Sequence, residues 1–324
     1  SYIDVSNKLL ETLIFLEIIG VILSLVLGFL LSSYFTSPLR KMSKVLYSIE
    51  EAHKTGERMP VPRRQDEISD LANAFNDMLE RMQKFILQQQ QFVEDASHEL
   101  RTPVAVIEGH ISLLNRWGKD DPEVLAESLE ASLQEITRMK SLVQEMLDLS
   151  RAEQSELYYS DKTTMAKEVV HTNVSNFQML YPEFTFNLDD DLMKDVEIKI
   201  YRNHLEQILI ILLDNAVKYS TDRKEVLISL SKSHESVDIM VQDFGEGISK
   251  DNLDKIFDRF YRVDKARARN TGGNGLGLSI AYQLVDNYHG KISVKSVEGQ
   301  GSAFTFSLPL VLEEVKTETE NKKN

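Results

Sequence analysis

The hydrophobic positions of the chain fall into three successive patterns. From Leu13 to Phe35 nearly every residue is apolar, and Glu17 is the single charged residue. From there to about residue 156, apolar residues recur every three, four or seven positions, which is the spacing of amphipathic helices that pack along a seam. Beyond about residue 157, short strand-like runs alternate with helical ones, which predicts an α/β domain. The chain is therefore expected to hold several structural units.

The first apolar run is long enough to cross a membrane. At about 1.5 Å per residue it spans roughly 34 Å, against a hydrocarbon core of about 30 Å. A signal peptide and a buried soluble helix are the alternatives, but the run is long and no small-residue cleavage site follows it. Arg40, Lys41 and Lys44 lie after the run, so the positive-inside rule predicts that everything beyond Phe35 is cytoplasmic. Residues 1–12 would be an extracellular stub, too short for a sensor, so we expect a piece of a longer receptor.

Residues 36–88 predict two short amphipathic helices. Ser37-Pro38-Leu39 is expected to end the membrane span, and Thr55–Arg64, with one Gly and two Pro, is expected to connect the helices. The second helix opens at Asp66-Glu67. Neither helix can bury its apolar stripe alone, which predicts a parallel coiled coil in a homodimer. The arrangement resembles a HAMP signal-relay domain, with Ser69 where a glycine is usual; a generic helical linker is the alternative.

A long amphipathic helix is predicted from Phe92 to Leu114. His98 lies between two apolar seam positions and should face solvent, with Glu99 beside it and Thr102 on the same helical face. Pro103 is expected to bend the helix. A single surface histidine is usually only solvated, but the string S-H-E-L-R-T-P resembles the phospho-acceptor box of sensor histidine kinases.

A second helix, Glu123–Glu153, follows a turn at Asn115–Pro122. Two antiparallel helices in each chain of a dimer make a four-helix bundle. This pair, residues 89–156, resembles the dimerisation and histidine-phosphotransfer domain of the same kinases.

The last region carries polar and glycine-rich segments at the ends of predicted elements. Helix His204–Tyr219 ends in polar residues, strand Val237–Val241 runs into D-F-G-E-G, and the run T-G-G-N-G-L-G-L opens helix Ser279–Asn287. Each signal alone is weak, and the glycine run is neither a Walker A loop nor a Rossmann fingerprint. In this order they resemble the N, G1, F and G2 boxes of the histidine-kinase ATP-binding domain, an α/β sandwich shared with gyrase-type ATPases and heat-shock chaperones. We assign residues 157–312 to it.

That resemblance implies roles for individual residues. Asn215 would bind Mg²⁺, Lys218 and Tyr219 would lie along the nucleotide, and Asp243 would accept a hydrogen bond from the adenine amino group. The other nucleotide-binding and lid positions implied are Gly245, Gly247, Phe257, Phe260, Arg262, Gly273, Gly275, Leu276 and Gly277. The family often has a second asparagine where this chain has Ile211, so magnesium affinity is expected to be altered at most.

Composition narrows the possible functions. The formal net charge of −14 and a pI near 5.1 argue against a nucleic-acid partner. The absence of cysteine excludes disulfides, thiolate zinc sites and thiol catalysis. Residues 313–324 are charged and free of aromatics, and are expected to be a disordered tail.

The resemblance as a whole implies a membrane sensor histidine kinase of a two-component system, of the type without a PAS domain that is common in Gram-positive bacteria. ATP and Mg²⁺ would serve phosphorylation of His98, followed by transfer to an aspartate of a response regulator. Glu99 and Thr102 would support dephosphorylation of that regulator. Two alternatives are a gyrase-like or chaperone-like ATPase and a non-enzymatic membrane adaptor. The first would not need the histidine helix, and the second would not need the ATP-site residues.

Overall fold

The structure is a computed structural model that describes residues 2–52, 58–59, 61, 67–153, 158–159, 161–263 and 273–311. The connector expected at Thr55–Arg64 and the expected tail at 313–324 fall largely or wholly outside these residues. Six α-helices are described: α1 Tyr2–Ala52, α2 Glu67–Arg116, α3 Pro122–Glu153, α4 Ala166–Leu180, α5 Arg202–Tyr219 and α6 Gly277–Asn287. The strands are β1 Thr164–Met165, β2 Thr185–Asp190, β3 Glu197–Ile198, β4 Glu225–Lys232, β5 Ser236–Asp243, β6 Lys291–Val297 and β7 Gly301–Pro309.

The chain divides into two compact units, residues 1–96 and residues 97–324. In the first unit, α1 contains an apolar segment, Leu9–Tyr34, with a mean hydropathy of 2.8. This segment is long and apolar enough to cross a membrane. The helix does not end at Ser37-Pro38-Leu39 but continues to Ala52. A proline removes one backbone hydrogen bond, which a long helix tolerates when its remaining turns are intact.

In the first unit, the backbone of Met59 in the connector forms hydrogen bonds with α2. The backbone N–H of Met59 donates to Asn76 Oδ1 at 2.8 Å, and Asn76 Nδ2 donates back to the Met59 carbonyl at 3.0 Å. The Met59 side chain is buried. One asparagine therefore satisfies both backbone groups of a residue that has left the helix, which a side chain with a donor and an acceptor can do.

The second unit begins within α2 and includes α3. Helix α2 continues through Pro103 to Arg116, and a short connection at residues 117–121 leads to α3. The Asp121 carboxylate accepts from the backbone N–H groups of Glu123 at 3.0 Å and Val124 at 3.4 Å, while Pro122 takes the first helical position. This is a helix N-terminus with a side-chain cap and a preset φ angle. The chain can therefore restart a helix after only a few residues.

The α/β part of the second unit is built on a five-stranded sheet of order β2-β4-β5-β7-β6. Strands β2 and β4 are parallel, and the remaining neighbours are antiparallel. Along β4, β5 and β7 alternate side chains are buried, so one face of the sheet forms the core. Helices α4, α5 and α6 pack against strands and one another. The result is a two-layer α/β sandwich, with β1 and β3 as a separate two-stranded sheet.

Candidate nucleotide site and phospho-acceptor helix

The phospho-acceptor box lies in the middle of α2. His98 and Thr102 are exposed, Glu99 is half-buried and Pro103 is buried. Because the imidazole is exposed, it is accessible to another domain or another protein. Within the described part of the chain, His98 forms no hydrogen bond or ion pair with the predicted nucleotide-binding residues. No polar contact of His98 therefore joins the phospho-acceptor box to the predicted nucleotide-binding residues in the described part of the chain.

Asp243 ends β5 and is the buried acid of the candidate nucleotide site, with 5% of its surface exposed. Its Oδ1 accepts from the backbone N–H groups of Gly245 at 2.9 Å and Ser302 at 3.2 Å. Burial raises the pKa of this carboxyl, and the two backbone donors oppose that rise. The carboxyl is thus held in a fixed orientation. Ser302 was not predicted, because it reaches Asp243 only through the pairing of β5 with β7.

The turn after Asp243 packs tightly against neighbouring backbone. A Cβ on Gly245 would collide with the carbonyl oxygen of Tyr219, and Gly247 has a φ of +69°. Only glycine adopts such a conformation readily and allows such an approach. Gly245 is therefore required by the packing of this turn against the end of α5, and Gly247 by its positive φ and its close approach to the carbonyl oxygen of Val297 at the end of β6.

The end of α5 contributes a cation and an amide. Asn215 and Lys218 are half-buried, and Tyr219 is exposed. Burial lowers the pKa of the Lys218 ammonium, while the negative charges of Asp214 and Glu145 oppose this effect. Ile211, in place of the second asparagine, packs against α6, since a Cβ on Gly277 would lie 3.3 Å from its Cγ2. The departure from the family pattern is thus an apolar contact between α5 and α6.

Several of the predicted lid residues contact one another or the start of α6. The backbone N–H of Phe260 donates to the Gly275 carbonyl at 2.9 Å, and both residues have a positive φ, 59° and 74°. The ring of Phe257 lies 5.7 Å from that of Tyr282 on α6. Leu276 is buried directly before α6. The segment containing Phe260 and the glycine run are therefore joined, whereas residues 264–272 lie outside the described part of the chain.

Two further contacts connect the lid side of the site with α3, and the sequence predicted neither. Asn274, which is buried, donates from Nδ2 to Glu145 Oε1 at 2.8 Å. Arg259 forms an ion pair with Glu153 at 2.5 Å. The partners are 129 and 106 residues apart, so no periodicity or local motif could have paired them.

Among the described residues, no group of three or more His, Cys, Asp or Glu side chains could hold a metal ion. Asn215 can still offer a hard amide oxygen near Lys218, and Mg²⁺ in nucleotide sites takes few protein ligands because phosphates and water supply the others. The residues present fit a metal that arrives with a nucleotide.

Three family models match the chain in succession. A HAMP domain matches residues 30–84, a His Kinase A (phospho-acceptor) domain matches 88–155, and a histidine kinase-, DNA gyrase B- and HSP90-like ATPase matches 200–312. The signal transduction histidine-protein kinase ArlS of Staphylococcus aureus is 38% identical over 288 residues, which is 89% of this chain and 63% of ArlS. The chain thus spans less than two thirds of that relative.

The solved structure of the Acinetobacter baumannii histidine kinase AdeS is similar in fold. It covers 66% of this chain and 98% of its own, at 24% identity and a TM-score of 0.50. The same protein family is indicated by the order of the three matched domains, by the apolar N-terminal helix and by the likeness to ArlS. The chain belongs to the membrane sensor histidine kinases of two-component systems.

Proposed function

We propose that this chain uses ATP and Mg²⁺ to phosphorylate His98 and then passes the phosphoryl group to an aspartate of a response regulator. The observation that carries the proposal is the presence, in one chain, of an exposed histidine on a phospho-acceptor helix and a buried, oriented carboxylate in an ATPase-type site. A gyrase-like ATPase would need only the second, and an adaptor would need neither.

Recognition of the base is assigned to Asp243. A carboxylate accepts hydrogen bonds, so it would pair with the 6-amino group of adenine and would be repelled by the carbonyl oxygen of guanine at the same place. Because one carboxyl oxygen is already held by two backbone N–H groups, the side chain would not need to reorient on binding. Gly245 and Gly247 would keep the turn close beneath the base.

Binding of the ATP phosphates is assigned to the end of α5 and to the lid. Lys218 and Arg262 would supply positive charge, Asn215 would hold Mg²⁺ through its amide oxygen, and Tyr219 would border the nucleotide. Mg²⁺ would neutralise negative charge on the triphosphate. Backbone N–H groups at the start of α6, around Gly273, Gly275 and Gly277, would face the phosphates, as helix N-termini do in many anion sites. Phosphoryl transfer depends mainly on such positioning and charge neutralisation.

The nucleophile is assigned to the neutral imidazole of His98. A ring nitrogen would form a bond to the γ-phosphorus while the bond from that phosphorus to the ADP oxygen breaks. Glu99 would accept a hydrogen bond from the other ring nitrogen, which makes the attacking nitrogen more basic. The same Glu99, with Thr102, would later position a water molecule on the phosphorylated regulator.

A homodimer is proposed as the active assembly. In one chain α3 leaves a row of large apolar side chains exposed, namely Leu129, Leu133, Ile136, Val143 and Leu147. Apolar surface of this kind marks an interaction site. A second copy would cover it and complete a four-helix bundle.

The chain is proposed to lie in the cell membrane with its catalytic part in the cytoplasm. The apolar part of α1 would span the bilayer, and Arg40, Lys41 and Lys44 would mark the cytoplasmic side.

The test is transfer of label from γ-labelled ATP to the full chain in detergent micelles, beside a His98→Gln variant. We expect acid-labile, alkali-stable label on the wild type only, and unchanged nucleotide binding by the variant. ATP hydrolysis without label on either protein would favour the ATPase alternative. Label on the variant would show that His98 is not the acceptor.

A further inference from the structure

A carboxylate from α3 lies at the edge of the proposed triphosphate site. Glu145 is half-buried, and its Oε1 accepts from Asn274 Nδ2 at 2.8 Å and from the Ser141 hydroxyl at 3.1 Å. Asn274 stands between Gly273 and Gly275 in the lid run, and only 5% of its surface is exposed. The phosphotransfer helix therefore contacts the lid through a side chain that accepts hydrogen bonds.

The same carboxylate acts on the cation assigned to the phosphates. Burial raises the pKa of Glu145 and lowers that of Lys218, and the attraction between the two opposite charges opposes both shifts. A Cβ on Gly273 would collide with Lys218 Nζ, so the ammonium lies directly against the lid backbone. An ammonium beside backbone N–H groups can bind phosphate, and the charges that act on it here include the carboxylates of Asp214 and Glu145 and the guanidinium of Arg262.

Two more contacts hold α3 against this side of the ATP-binding domain. Arg259 pairs with Glu153 at 2.5 Å, and Asn287 Nδ2 donates to the Ala152 carbonyl at 2.5 Å. Ala152 and Glu153 lie about two helical turns beyond Glu145 on α3, and Asn287 is the last residue of α6. Of these α3 residues that contact the ATP-binding domain, Glu145 is therefore the one that lies on the nucleotide side.

We propose that Glu145 competes with the triphosphate of ATP for Lys218 and the lid, so that docking of α3 at this point and ATP binding oppose each other. The proposal rests on the proposed function, which assigns the triphosphate to this cation. Two anions near one partly buried ammonium repel each other, and Asn274 can donate to the carboxylate or to a phosphate oxygen. ATP binding would release the carboxylate from the lid and loosen the domain from α3, which frees it to move toward His98. Glu145 is a regulator of nucleotide affinity in this scheme and takes no part in the chemical step.

The experiment measures affinity for a non-hydrolysable ATP analogue with Mg²⁺ by calorimetry on the full chain in micelles. Glu145→Gln removes the charge but keeps an acceptor for Asn274, and Glu145→Ala removes both. Asp148→Asn is the matched control, since it removes the same charge one turn away on α3. We expect about fivefold to tenfold tighter binding for both Glu145 variants, because loss of a competing contact raises the fraction of binding-competent protein. The control should bind as the wild type does.

The second readout reports docking itself. The chain has no cysteine, so Arg151→Cys on α3 and Asp286→Cys on α6 can be joined by a short bifunctional thiol reagent. Both residues are exposed, and each neighbours a member of the Ala152–Asn287 contact. The analogue should lower the cross-linking yield in the wild-type background, and Glu145→Ala should lower it without nucleotide.

The outcomes separate the two proposals. Equal affinities of the wild type and both Glu145 variants would overturn the competition while leaving the proposed function intact. An equal gain in the Asp148→Asn control would also overturn it, because the effect would then be one of general charge. If the wild type bound no ATP analogue at all, the proposed function would fail and this inference with it.

Discussion

Replacement of Asp243 by asparagine separates nucleotide recognition from folding. The side chain is buried, and Oδ1 is engaged by the N–H groups of Gly245 and Ser302. Asparagine has the same shape and can keep its own oxygen in that position. Its amide nitrogen would then face the adenine amino group, so two donors would oppose each other in a buried site.

The magnitude follows from the lost contact. A hydrogen bond to a charged acceptor contributes about 1.5–3 kcal/mol, and an unsatisfied buried donor costs about 1–3 kcal/mol. The sum of about 2.5–6 kcal/mol predicts ATP affinity lower by a factor of about 60 or more.

The folding stability of the Asp243→Asn variant should not fall together with its ATP affinity. Burial in the native protein raises the pKa of Asp243. Near neutral pH the charged carboxylate is therefore less stable in the native protein than in the unfolded chain. Asparagine removes that charge. We therefore expect an unchanged or slightly higher free energy of unfolding, even though ATP binding is lost.

The assay pairs calorimetric titration of an ATP analogue with denaturant unfolding. Asp238→Asn is the control, since Asp238 lies on the same strand and accepts from Ser236 at 3.1 Å, away from the nucleotide side. Undiminished ATP binding by Asp243→Asn would refute the assignment of this residue to the base. A loss of stability that accounts for the loss of binding would give Asp243 a structural role instead.

Two further predictions concern histidine protonation and the phosphatase reaction. Burial lowers the pKa of His204, whose Nδ1 lies 2.8 Å from the Tyr288 hydroxyl. As the pH falls below about 6.5, the unfolded chain therefore binds a proton at this histidine more readily than the native chain does. The free energy of unfolding should decline below that pH by at most about 1.4 kcal/mol per pH unit from this group, and His204→Gln should reduce the decline in denaturant titrations at several pH values. An unchanged pH profile in the variant would contradict the assignment. Thr102→Ala should retain autophosphorylation of His98 and lose dephosphorylation of the regulator, measured with purified phospho-regulator; an equal loss of both activities would show that Thr102 only supports the helix.

Some elements escaped sequence reasoning because distant contacts define them. Strand β2 reads T-F-N-L-D-D, with a polar end that suggests a turn. In the fold its Asp190 accepts from Lys167 at 2.9 Å and lies 2.6 Å from His171, and both partners belong to α4. The carboxylate is thus satisfied by a helix that comes earlier in the chain. Tertiary contacts here override local propensity.

The sequence by itself determined the features that depend on neighbours along the chain. Local periodicity and backbone freedom account for the apolar run of α1, the helical spacing around His98 and the glycine-rich segments after Asp243 and before α6. The family models match the expected domains in the expected order. Only the tertiary structure decided which distant groups meet. Ser302 holds Asp243 because β7 pairs with β5, and Glu145 meets Asn274 because α3 lies against the lid. Hydrogen bonds and charges act over a few ångströms in space, and the pattern along a chain does not specify the distances between residues that are 59 or 129 positions apart.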